Sequence, residues 1–240
     1  MPKYEATLTA SESVAEGTMA FHFAKPADFK FEAGQSVNVS LIDPPETDHK
    51  GNSRSFSLVS APYETELMIA TRMRDTAFKR VLKAMPAGGR VSLRGPAGMF
   101  TLDPADARPA VFLAGGIGVT PFVSMLRDAA HSRLGRDLWL LYSNRRPEDA
   151  AFLEELAALP KRHSRCHFVG TMVEMDKSSR PWSGETGFLD RAMLERYLKG
   201  FAAYVYYIAG PPGLVEAMQK MLIGAGITED AIRTDEFFGY

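Results

Sequence analysis

Ala110-Val-Phe-Leu-Ala-Gly115-Gly116-Ile-Gly118-Val-Thr120-Pro121 is the stretch on which the reading of this chain turns. Its apolar run reads as a buried strand, and three closely spaced glycines then break it. Thr120 offers an N-cap, and Pro121 fits the first helical position, where a missing N–H costs nothing. Strand, glycine loop and helix start together form an arrangement that holds a pyrophosphate. Glycines let the backbone approach a bulky anion, and the helix start presents N–H groups and a positive dipole. Gly-Gly-x-Gly is not the usual G-x-G-x-x-G, and a tight strand-to-helix turn without a ligand reads the same way. A second such turn stands at Ile208-Ala-Gly210-Pro211-Pro212-Gly213. It is either a rigid helix start or the other wall of one crevice, since ligands in open parallel sheets bind at the carboxyl ends of strands near the switch point.

Outward from this loop, strands and amphipathic helices alternate. Strands are expected at 110–114, 137–142, 167–173, 203–209 and 232–237, and helices at 120–131, 147–159, 190–198 and 212–222. Such alternation predicts a five-stranded parallel sheet covered by helices on both faces. The first half differs. Phe21-His-Phe, Ser36 to Ile42, Phe56 to Val59, Leu67 to Thr71 and Arg90 to Leu93 are short β-type runs cut by turn residues, which predicts an antiparallel barrel or sandwich. One helix interrupts them, from Thr76 to about Met85, with Phe78, Val81, Leu82 and Met85 on one face. The breaker-rich Asp103 to Pro109 reads as a linker. The expected domains are thus 1–103, a linker at 104–109, and 110–240. The polar loop 43–53 is expected to be an exposed hairpin loop leading to Arg54.

Composition narrows the function. A net charge of −1 and a pI near 6.5 give no basic surplus for nucleic acid. A single cysteine excludes a disulfide framework, a four-cysteine zinc site and a cysteine-bound iron–sulfur cluster. His163 and His167 bracket Ser-Arg-Cys166. Their spacing at a strand entry does not put both on one face, so a metal pair is not expected, and Cys166 is expected to be buried. No secretory signal and no membrane-spanning run is visible, so a reducing, cytoplasmic compartment is expected.

Arg54-Ser55-Phe56-Ser57 now joins the two loops in a recognisable order. Ala33-Gly34-Gln35 precedes it, Gly95-Pro-Ala-Gly98-Met-Phe100 follows, and Asp235-Glu236-Phe237 lies near the end. Together these resemble the ferredoxin–NADP+ reductase superfamily over nearly the whole chain. The departures are Phe56 for a usual Tyr, Ala209 for the Cys of Cys-Gly-Pro-Pro, and Asp235 where Glu is commoner. The resemblance implies an antiparallel flavin-binding β-barrel followed by a five-stranded nucleotide domain. It also implies hydride transfer from NADPH or NADH to bound FAD. Electrons then pass to a redox protein such as ferredoxin or flavodoxin, or to a multicomponent oxygenase. A monomer is expected. Two alternatives stand beside it: a non-catalytic flavin-binding electron-transfer subunit, which Ala209 and Phe56 keep open, and an NAD(P)H reductase of free flavins or ferric chelates.

The resemblance also assigns residues. Arg54 pairs with the flavin phosphate, and Ser57 hydrogen-bonds near flavin N5. Ser55 and the backbone of Phe56 and Leu58 lie along the ring, as does the strand Thr71-Arg72-Met73. Arg74, Thr76 and Ala77 hold the pyrophosphate at the helix start, where Asp75 or Thr76 serving only as a helix cap is the plainer reading. Phe237 stacks over the ring with Asp235 beside it; Phe238 and Tyr240 are rivals for the stacking role. Gly115, Gly116, Gly118, Thr120, Gly210 and Pro211 hold the nicotinamide dinucleotide. Ser143, Asn144, Arg145 and Arg146 read its adenosine ribose, and the two arginines favour NADPH.

Overall fold

A computed structural model describes residues 1–238. Tyr240, one of the expected ring-stacking residues, lies outside them. The first half folds into six antiparallel strands: β1 (Lys3–Ala15), β2 (Thr18–Ala24), β3 (Ser36–Leu41), β4 (Ser53–Ser57), β5 (Glu66–Arg72) and β6 (Arg90–Ala97). Their order is β4-β3-β6-β1-β2-β5. The ends meet where Leu58 bridges Ile69 and the Val59 N–H donates to the Met68 carbonyl at 2.8 Å, which closes the sheet into a barrel. Period-2 alternation fills the interior: Val37, Val39 and Leu41 of β3 point inward with Phe21, Phe23, Ile69, Val91 and Leu93. The helix α1 (Ala77–Ala84) plugs one end with Phe78 and Leu82. Strand β1 went unread in the sequence. Only Ala6 and Leu8 of its residues are buried, so it carries no apolar signal and is held by its pairing with β2 and β6.

The second half is a parallel sheet. Its strands are β7 (Ala110–Gly115), β8 (Leu138–Asn144), β9 (Cys166–Met172), β10 (Glu185–Thr186), β11 (Val205–Gly210) and β12 (Ile232–Glu236). The order β10-β9-β8-β7-β11-β12 places β7 and β11 side by side where the winding reverses. Two apolar clusters cover the two faces, under α2 (Thr120–Ser132) and α3 (Leu153–Arg162) on one side and α4 (Arg191–Tyr197) and α5 (Pro212–Gly224) on the other. The count is six strands rather than the five expected, because β10 is two residues long and leaves no periodic trace. Pro147 does not start α3 either. Residues Pro147–Asp149 form a 3₁₀ turn, Phe152 takes a left-handed φ of 59°, and the helix begins only at Leu153.

The halves are fastened across a buried seam. The Ser124 hydroxyl donates to the Ser60 carbonyl at 2.7 Å, and Tyr207 OH donates to the Thr101 carbonyl at 3.1 Å. Phe100 packs its ring 5.6 Å from both Phe122 and Tyr207. These contacts set the barrel's β4 edge opposite the carboxyl ends of the parallel strands.

Candidate functional site

At the switch point the glycines do two different jobs. Gly116 takes a φ of +53° with open space where a side chain would stand. A Cβ on Gly118 would lie 2.5 Å from the Ala209 carbonyl oxygen, so this glycine is needed for β11 to pass close by, whether or not an anion is bound. Thr120 corrects the expectation made of it. Its backbone is already helical, it is 1% exposed, and its hydroxyl donates back to the Ile117 carbonyl at 3.0 Å instead of capping the helix.

A cavity of about 470 Å³ opens here, lined by Gly115, Gly116, Ser143, Asn144, Arg145 and Pro211. Its volume falls within the roughly 300–1,000 Å³ usual for ligand sites. The Asn144 side chain is buried, and its amide nitrogen has no hydrogen-bond partner among the described residues. The two arginines diverge. Arg145 is exposed on the cavity wall with no carboxylate within 4 Å among the described residues. Arg146 turns away to Asp149 (2.9 and 3.0 Å) and to Glu16 of the barrel (3.0 Å). Arg72 crosses from the barrel to the cavity wall and lies 3.4 Å from Asp149, facing the nucleotide side. Phe188, 78% exposed on the same wall, carried no sequence signal, because a lone aromatic in a long loop has no periodic context.

On the barrel side, alternation along β4 puts Arg54 and Phe56 on one face and Ser55 and Ser57 on the other. Arg54 is held by Asp48 at 3.0 Å and donates to the carbonyls of Lys50, Gly51 and Ser53. Its guanidinium lies 5.2 Å from the Phe78 ring, and Phe56 lies 5.8 Å from the same ring. Thr76 caps α1, accepting from the Lys79 N–H at 3.4 Å; Ala77 is buried behind it. Lys79 is the residue that sequence reasoning missed. Burial, reinforced by Arg74 and Arg54, pushes its ammonium down to about 8. A cation in the first turn faces the positive end of the helix dipole, an arrangement that is unfavourable until an anion arrives. That misplacement was the available signal. Leu58 is fully buried in the barrel and Thr71 nearly so, while Met73 packs against the barrel core, its N–H bonded to the Gly17 carbonyl.

Between β4 and the last strand lies a second cavity of about 650 Å³. Ser55 and Ser57 line it from the barrel, and Asp235 and Phe237 from the other side. Phe237 is fixed by its N–H donating to the Gly210 carbonyl at 2.9 Å, which ties it to the glycine turn of the first cavity. Burial pushes the Asp235 carboxyl up to about 6. The seam therefore holds open space rather than packed side chains. The cations at a helix start on the barrel suit a pyrophosphate, and the cleft on the Ser55 and Ser57 face of β4, with an aromatic and a carboxyl on its far wall, has room for a ring such as that of FAD.

Elsewhere, His167 stacks on Trp139 at 4.0 Å. Cys166 is buried, and its thiol is pushed up to about 11. No cluster of three metal-ligating side chains occurs among the described residues. Nor is any described helix long and apolar enough to cross a membrane.

The family model for the oxidoreductase NAD-binding domain matches residues 112–220. Ferredoxin–NADP reductase B of Sorangium cellulosum is 30% identical over 213 residues, covering 86% of this chain and 84% of its own. The glycine betaine monooxygenase reductase subunit of Chromohalobacter salexigens is 29% identical over 226 residues, covering 92% of this chain but 60% of its own length. This chain thus spans most of the first relative and about three fifths of the second. Among solved structures, the Neisseria gonorrhoeae ferredoxin NADP+ reductase with bound FAD and NADP superposes with a TM-score of 0.82 at 22% identity, covering 98% of this chain and 99% of that one. An Amycolatopsis cytochrome P450 reductase gives 0.83 at 25%, covering 98% and 70%. A barrel joined to a parallel nucleotide-type sheet, with two clefts at the seam, defines an oxidoreductase class. The chain belongs to the ferredoxin–NADP reductase family.

Proposed function

We propose that this protein takes a hydride from NADPH onto FAD held at the seam and delivers electrons to a separate redox protein, a ferredoxin or flavodoxin, or to an oxygenase component. The observation that carries the reading is the cleft at the seam, with Ser55 and Ser57 on the barrel side and Asp235 and Phe237 on the other; Arg54, Arg74 and a Lys79 depressed to about 8 stand on the same barrel around the start of α1. FAD bound there supplies a ring that accepts two electrons at once and releases them singly.

The chain's own residues then have definable tasks. Lys79, Arg74 and the N–H groups of α1 hold the pyrophosphate, and Arg54 stiffens the β3–β4 loop while keeping its charge beside them. Ser57 offers its hydroxyl to the ring from the barrel wall. Phe237 covers the cleft from the far side and must yield for a nicotinamide to reach the ring, a gating step. Asp235 supplies a carboxyl that changes protonation near pH 6 at the same spot. Arg145 is the cation in position for a 2′-phosphate, since Arg146 is occupied by Asp149 and Glu16; this favours NADPH. The oxygenase-type relatives support a partner-protein acceptor over a free flavin.

The test is anaerobic. The purified protein should be yellow, and NADPH should bleach it faster than NADH does. A yellow protein that neither nucleotide bleaches would favour the non-catalytic subunit instead. Arg54→Ala should lose most of its flavin; full retention removes its assigned role.

A further inference from the structure

Many arginines of this chain stand within 4 Å of a carboxylate, among them Arg54, Arg72, Arg80, Arg108, Arg127 and Arg146. Among the described residues, those without one follow a pattern. Arg74 stands beside Lys79 at the start of α1, and Arg145 and Arg233 line the two clefts of the seam. Arg94 lies on β6, where the strand's other arginine, Arg90, is paired with Glu5. The remaining three, Arg133, Arg136 and Arg162, gather in one recess at the opposite edge of the parallel sheet.

This recess has a volume of about 400 Å³ and is completed by His163 and Arg165. It sits where α2 and α3 end and β8 and β9 begin. Strand β8 carries the chain from Leu138 in the recess to Ser143 and Asn144, five and six residues on, or about 17–20 Å at roughly 3.3 Å per residue, so it is no part of the nucleotide cleft. Arg136 forms its wall and is only 8% exposed. One of its terminal nitrogens donates to the carbonyls of Asp106 and Arg108, and its Nε has no partner among the described residues. Among the described residues Asp137 lies 3.6 Å from Arg165 and 3.8 Å from His167, while Asp106, whose charge also acts on Arg136, is itself paired with Arg108 at 2.7 Å. The two helix carboxyl ends contribute about half a negative charge each. Together with Asp137 they offset about two of the four arginine charges, and an excess remains. Arginine's planar fork matches tetrahedral oxyanions bidentately.

We propose that this recess binds a phosphate-class oxyanion, independently of the redox site. The experiment is calorimetric titration of the flavin-loaded protein, its nucleotide cleft first saturated with NADP+, with inorganic pyrophosphate, against chloride at equal ionic strength. Wild type should bind with Kd below about 1 mM, and Arg133→Gln/Arg162→Gln should bind at least 10-fold more weakly. The double variant keeps the flavin if folded, and single Arg162→Gln, expected to weaken binding several-fold, guards against a double variant that fails to fold. A repeat with ADP separates the sources: tighter ADP assigns a nucleotide phosphate, and tighter pyrophosphate a free oxyanion. Equal binding by wild type and the double variant, or no binding above chloride, overturns the proposal.

Discussion

Replacing Lys79 by Met should push apoprotein stability and flavin affinity in opposite directions. Met keeps the aliphatic stem and removes the charge. In the flavin-free protein the ammonium is depressed from its ordinary 10.5 to about 8. At about 1.4 kcal/mol per pH unit this corresponds to about 3 kcal/mol, and solvent screening of a half-buried group reduces it to about 1.5 kcal/mol. The sign follows from linkage. Below pH 8 both states hold the proton and the folded state bears the full cost; between about 8 and 10.5 only the unfolded state holds it, so stability rises with pH. Against this, the variant loses the 2.6 Å bond from Nζ to the Arg72 carbonyl, about 1 kcal/mol. Lys79→Met apoprotein should therefore be as stable as wild type at pH 7, or up to about 1 kcal/mol more so, and should lack the rise between pH 8 and 10. Flavin binding should weaken by about 10- to 100-fold, the loss of one charge-assisted hydrogen bond to phosphate. Denaturant melts of apoprotein at pH 7 and 9.5, with fluorescence titration of FAD, measure both. Clear destabilisation of the apoprotein, or unchanged FAD affinity, refutes the argument that Lys79 is held there for an anion.

Three further outcomes are expected. Arg145→Ala should raise KM about 10-fold for NADPH and less than 2-fold for NADH, the loss of one arginine–phosphate contact; equal effects remove the 2′-phosphate contact. Gly118→Ala should cost about 1–3 kcal/mol in chemical denaturation, because its Cβ meets the Ala209 carbonyl at 2.5 Å; a neutral effect means β7 and β11 move apart freely. Asp235→Asn should abolish an inflection near pH 6 in the rate of flavin reduction. It should also remove a stability loss between pH 4 and 6, where the native carboxyl holds a proton that the unfolded one releases. An unaltered pH profile would place Asp235 outside the chemistry.

Much of the architecture was legible from periodicity. Strands 110–114 and 203–209 and the helices starting at Thr120 and Pro212 declare themselves because each buries an apolar face at a fixed repeat, and a repeat is a one-dimensional property. What lacked a repeat was missed: β1, whose residues are mostly exposed, and β10, two residues long. The start of α3 was misplaced because Phe152 takes a left-handed turn that no local preference of phenylalanine forecasts. The glycine loops, Arg54 and the terminal Asp235–Phe237 pair could likewise be picked out, since each is a short motif carried by adjacent residues. Tertiary structure alone decided how their tasks divide. It spends Gly118 on close passage of β11, occupies Arg146 with Asp149 and Glu16, and leaves Arg145 facing the cleft. It also brings Lys79 beside Arg54 and Arg74, and gathers Arg133, Arg136 and Arg162 at the far edge. Charge acts through space rather than along the chain, so which cations are neutralised, and which still lack an anion, is settled only once the barrel and the sheet have docked.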